Sequence, residues 1–182
     1  MKKIVKEIVT WVGSLSLAII VTFAISIFII QPTKVFGSSM EPTLQDGQYI
    51  FVSKLSHTFK SEPNYNDIVI LDSRVDYERT FKDDVLDHPL VSKFLGDEKK
   101  VFFVKRVIGK AGDELQFIDH KVYRNGEALD EPYINEMMNY TSDETFIVPD
   151  DHVFVLGDNR NHSTDSRDIG MVPIDHILGK KL

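Results

Sequence analysis

The sequence predicts a mostly β protein, a coiled antiparallel β-sheet assembly or partly closed barrel, carried behind one N-terminal transmembrane helix. Three observations predict it. Residues 8–30 form an apolar run without a charged side chain. Beyond Pro32, short runs rich in β-branched and aromatic residues alternate with turn chemistry. No later run approaches spanning length, and 42% hydrophobic residues in a chain of 182 suffice for one ordinary core plus an anchor.

The apolar run comes first. Its 23 residues give roughly 34 Å of helix, enough for a hydrocarbon core of about 30 Å. Lys2, Lys3 and Lys6 precede it, so the positive-inside rule makes residues 1–7 a cytoplasmic stub and 31–182 extracytoplasmic. A cleaved secretory signal also begins with lysines. Its apolar region spans only about 7–15 residues before a small-x-small cleavage site. This run is longer, and QPTKVFG is a poor site.

Strands are expected at 47–55, 67–73, 100–109 and 151–158. Residues 113–129 read as a paired unit whose Asn125-Gly126 is a hairpin turn. Pro149 and Pro173 fall at strand edges, where a missing N–H is tolerated. Residues 74–100 break the pattern: they are charge-dense and interrupted by Pro89 and Gly96, and read as a variable, solvated excursion.

Charge and cysteine count exclude several functions. The net charge of −7 divides into +2 for residues 1–30 and −9 for the rest. An acidic outer portion argues against nucleic acid and offers no polybasic hold on anionic lipid. The absence of cysteine excludes disulfides, thiolate catalysis and cysteine-ligated zinc, and suits an exported domain independent of disulfides.

Hydrolytic chemistry without cysteine needs a serine or threonine paired with a base. The six histidines are scattered, with no zinc-binding helical pair. His162, between Asn161 and Ser163, reads as a polar loop residue. DNRNHSTDSRD is no calcium loop, because Arg160 occupies a ligand position and the required glycine is missing. Lysine remains. Lys105 lies in the apolar run VFFVKRVIG, where strand alternation sends it and Arg106 to opposite faces. Burial could lower its pKa by 2–3 units from about 10.4 and free the amine. Equally, both residues could be edge-strand charges that discourage aggregation. Composition leaves both readings open.

Three blocks in order behind an anchor, GSSMEPTL (37–44), VKRVIGKAGD (104–113) and GDNRNHSTDSRDIG (157–170), narrow the choice, supported by the weaker YNDIVIL. Together they resemble the bacterial type I signal peptidases, membrane-bound serine–lysine proteases that remove signal peptides from exported preproteins. The likeness is to the single-anchor Gram-positive type. It implies a β-rich catalytic domain and a cell-membrane location. It also implies a serine endopeptidase acting on preproteins as they emerge from the secretion machinery, at the surface of the bilayer. No cofactor or metal is implied.

Position by position, the resemblance makes Ser39, not Ser38, the nucleophile and Lys105 the general base. Ser163 would hydrogen-bond and orient the lysine. Asp165 and Arg167 support it, with Asp158, Arg160 and Arg106 as further supporting residues. Gly37 stands where one branch of the family supplies an oxyanion hydroxyl, so the Ser39 N–H and another main-chain donor are expected there. Ser38 would face away if the strand is regular. Met40 either lines the substrate site or packs in the core. Two departures stand out: Asn66 replaces a usual glycine, and the chain stops at ILGKKL where relatives commonly continue with another apolar strand. Two rival readings compete with it. An idle, substrate-presenting relative would be expected to lose the serine or lysine. A self-cleaving repressor-type protease would need a DNA-binding N-terminus where the anchor stands.

Overall fold

The computed structural model describes residues 2–87, 91–92 and 102–182. Helix α1 spans Lys2–Phe28, and Ile27 is its one buried residue. Its apolar side chains stand exposed along its length, as suits a helix surrounded by lipid. The helix ends two residues before the apolar run does. Thr58 Oγ1 donates to the Phe28 carbonyl at 2.8 Å and Lys54 N–H donates to the Ile29 carbonyl at 2.8 Å. These bonds satisfy acceptors that a helix end leaves orphaned. Ile30 then opens strand β1 (Ile30–Lys34). The segment leading to Ser39 is in its first half an edge strand, with Pro32 tolerated there.

All observed strand pairings are antiparallel. The remaining strands of the larger sheet are β2 (Tyr49–Ser53), β3 (Ile68–Asp72), β4 (Phe102–Lys110), β9 (His152–Leu156), β10 (Val172–Pro173) and β11 (Ile177–Lys181). Their order is β1-β2-β11-β3-β4-β9-β10. The smaller sheet contains β5 (Glu114–Ile118), β6 (Lys121–Arg124), β7 (Glu127–Ala128) and β8 (Ser142–Ile147), in the order β7-β6-β5-β8. Neither sheet closes on itself, so the assembly is two open, coiled sheets. The described residues also form short helices α2 (Leu55–Thr58), α3 (Phe81–Leu86) and α4 (Ser166–Ile169) and a 3-10 turn at Ile174–His176.

The expected strands appear near their places, trimmed at the ends. Residues 100 and 101 of the third run lie outside the described residues, as do 88–90 and 93–100 of the excursion. Within 74–87 the excursion is not structureless: Thr80 and Asp83 form a capping box that starts α3. The Asn125-Gly126 turn joins β6 to β7, with both residues at positive φ (53° and 82°), as a two-residue hairpin turn requires. Among the described residues, strands β1, β8, β10 and β11 lie outside the expected ranges.

Strand alternation sorts the core. Ile68 and Ile70 pack with Met40, Leu44, Ile50 and Leu178 on one face of β3, while Val69 and Leu71 pack with Val107, Val155 and Val172 on the other. A third cluster, built around Phe117 of the smaller sheet and Phe154 of the larger, packs the two sheets together. Strand β4 lies inside the larger sheet, between β3 and β9. Lys105 and Arg106 are therefore not edge-strand charges.

Candidate active site

Lys105 is paired with Val69 across the β3–β4 ladder and is only 3% exposed. Such burial penalises an ammonium ion. Its pKa falls to about 8, the neighbouring carboxylates Asp165, Asp158 and Asp168 opposing the effect of burial. Its Nζ donates to Ser39 Oγ at 2.7 Å, joining residues 66 positions apart. A buried amine against a half-buried serine is the geometry of a base and its nucleophile.

Ser39 does not lie on a regular strand. Residues 37–44 form a run of turns, so the strand-face argument for Ser38 does not apply; Ser38 is simply exposed. Gly37 has φ +85°, a left-handed conformation that glycine adopts without strain. Its N–H is committed to Asp46 Oδ1 at 2.8 Å, so Gly37 supplies backbone shape rather than a free donor. The Ser39 N–H makes no hydrogen bond among the described residues. Met40 is 1% exposed and packs in the core under the turn.

The third block folds back over this turn from the end of β9. Gly157 is where the parts converge: a Cβ there would lie 2.2 Å from Ser163 Oγ and 2.5 Å from the Ser39 carbonyl oxygen. Ser163 thus reaches the site, but no hydrogen bond joins it to Lys105. Its Oγ is buried without a partner among the described residues. Asp165 caps α4 and accepts from the Gly157 N–H at 3.0 Å, while Arg167 forks onto both its oxygens at 2.8 Å. These two residues hold Gly157 and the site's floor in place.

Arg106 points away from Lys105. It forks onto Asp158 at 2.8 and 2.6 Å, donates to the Asn66 carbonyl at 3.0 Å and lies 3.9 Å from the Tyr133 ring centroid. Arg160 makes the parallel pairing, with Glu131 at 3.0 and 2.6 Å, and returns a bond to the Gly157 carbonyl at 2.9 Å. Arg106, Asp158 and Arg160 therefore act as buried props behind the site. Asn66, where the resemblance has glycine, adopts a left-handed conformation with φ 66°, which asparagine tolerates. His162 is an exposed loop residue.

Gly157, Asn159, Glu131 and Tyr133 were missed by sequence reasoning. Gly157 and Asn159 lie inside the third block, where the GDN triplet was a usable signal. Glu131 and Tyr133 carry none, since their partners are brought together only by the fold. Among the described residues, no group of His, Asp and Glu side chains converges to hold a metal ion.

Comparison with known proteins gives a consistent pattern. Residues 8–182 match a protein family described as signal peptidase, peptidase S26. The chain is 34% identical over 179 residues to a signal peptidase I of Bacillus licheniformis, covering 93% of this chain and 83% of that one. It is 30% identical over 192 residues to signal peptidase IB of Staphylococcus aureus strain COL, covering 96% and 87% respectively. A solved signal peptidase I from Enterococcus faecalis V583 aligns with a TM-score of 0.46 at 27% identity, over 65% of this chain and 96% of that one.

Proposed function

The chain belongs to the signal peptidase family, peptidase S26, and on that premise we propose that it cleaves signal peptides from exported preproteins with a Ser39/Lys105 dyad. The observation that carries the residue assignment is the 2.7 Å contact between Lys105 Nζ and Ser39 Oγ. With a pKa of about 8, roughly a tenth of the Lys105 population is free amine at pH 7, against ~0.04% for an unshifted lysine. Neutral Lys105 takes the Ser39 Oγ proton as Oγ attacks the scissile carbonyl. The Ser39 N–H, which has no partner among the described residues, receives the oxyanion. The ammonium then protonates the leaving amine, and the amine so regenerated activates water against the acyl-enzyme. An idle, substrate-presenting relative is not favoured, since it would have no use for a desolvated lysine against a serine.

In this reading residues 1–7 lie in the cytoplasm, the apolar helix anchors the chain, and the β-rich portion works on the outer surface. The substrate is an extended segment of a preprotein still tethered to the same membrane. The test is processing of a preprotein in detergent by wild type, Ser39→Ala and Lys105→Ala. Both variants are expected to lose cleavage by more than a thousandfold. Near-normal cleavage by either would remove the dyad assignment.

A further inference from the structure

Asn159 is a buried polar residue that the proposed reaction does not use, 8% exposed just past β9. Its bonds converge on one place. Its N–H donates to the Ser39 carbonyl at 3.0 Å, and its side-chain Nδ2 donates to the Ser38 carbonyl at 3.1 Å, across 121 residues of sequence. The Ser38 oxygen also accepts the Glu41 N–H at 3.0 Å, so both its lone pairs are engaged. Asn159's own carbonyl is tied to His162 N–H at 3.0 Å, which fixes the residue that does the fixing.

The Ser38–Ser39 peptide is not among the cis bonds of the described residues, so it is trans, and near planar as peptide units are. In such a unit the C=O and the following N–H point in opposite directions. Holding the Ser38 carbonyl toward Asn159 therefore aims the Ser39 N–H the other way, out of the turn, where it has no partner among the described residues. Residue type matters here. The asparagine amide nitrogen donates to the Ser38 oxygen, whereas an aspartate of the same shape would set a carboxylate against that carbonyl.

From this we propose that Asn159 is a positioning residue for the oxyanion donor, holding the peptide plane whose far edge is the Ser39 N–H. The inference rests on the Ser39 nucleophile reading. It differs from a packing role, which aspartate would fill as well as asparagine.

The test is single-turnover cleavage of a preprotein by the full chain in detergent, with enzyme in excess. At saturating enzyme the rate constant does not depend on the active fraction. Asn159→Ala is expected to lower that rate constant about tenfold, and Asn159→Asp about a hundredfold, with half-saturation within twofold of wild type. An aspartate variant as fast as wild type, an alanine variant within twofold of it, or a loss confined to half-saturation would overturn the proposal. A parallel Ser39→Ala arm separates the two ideas: if that variant cleaves, the nucleophile reading itself has failed, whatever Asn159 does.

Discussion

Lys105 does its proposed chemistry at the expense of stability. Its folded pKa of about 8 lies below the ordinary lysine value of 10.5, because burial opposes the charged form. The unfolded chain therefore binds more protons between those two pH values, and stability rises with pH across that window. Below about pH 8 the full penalty stands, about 3 kcal/mol from the size of the shift. Lys105→Met is expected to be inactive yet to unfold at a higher urea concentration at pH 7, with the gain shrinking toward pH 10.5. Gly157 shows the opposite economy, since its lack of a side chain is its contribution. Gly157→Ala puts a methyl group within 2.5 Å of both Ser163 Oγ and the Ser39 carbonyl oxygen. Steady-state kinetics should show at least a hundredfold loss in kcat/KM, because the methyl displaces the nucleophile's turn. A loss under fivefold would mean that the turn yields easily.

At the scale of elements, the long middle strand explains why lysine and arginine stand side by side. One face of β4 sends Lys105 to the serine and the other sends Arg106 to Asp158, and both are buried because the sheet continues on either side. Alternation was legible from VFFVKRVIG; burial was not, because a strand's place in a sheet is set by partners far along the chain. Strands β1, β8 and β11 were hidden for the same reason. The polar runs QPTK and SDETF have no alternation of their own and become strands by pairing with β2 and β5. The turn before β3 carries its own prediction. Asn66→Gly should leave stability within about 0.5 kcal/mol, while Asn66→Ala should cost about 1 kcal/mol for a left-handed alanine, as urea unfolding would report. At the far end of β3, Asp72 gathers Arg74, Tyr77 and Arg79, and those bonds outweigh its burial to hold its pKa down at about 2. Its contribution to stability is present above about pH 4 and is lost as pH falls toward 2. Asp72→Asn should flatten that acid limb in a pH series of melting temperatures.

The whole molecule joins an anchor to a site a short distance along the chain. Helix α1 hands directly into an edge strand of the catalytic sheet, and the serine turn follows five residues after that strand ends. The anchor, the serine block and the lysine block were all legible in sequence, being local patterns of composition and order. The orphaned Ser163 hydroxyl and the bonds from Asn159 to the serine turn were not, because they exist only once β9 lies beside that turn. The proposed orientation can be read in intact cells, since a chain without cysteine accepts single thiol labels cleanly. Glu127→Cys should react with a membrane-impermeant maleimide from outside, and Lys3→Cys only after the membrane is breached; the reverse pattern would invert the topology. The dyad itself meets its most direct test in the pH dependence of kcat/KM for the free enzyme. The account predicts an acidic limb with an apparent pKa near 8, set by a desolvated Lys105. A limb near 10, or one unchanged in a residually active Lys105→Ala enzyme, would contradict it.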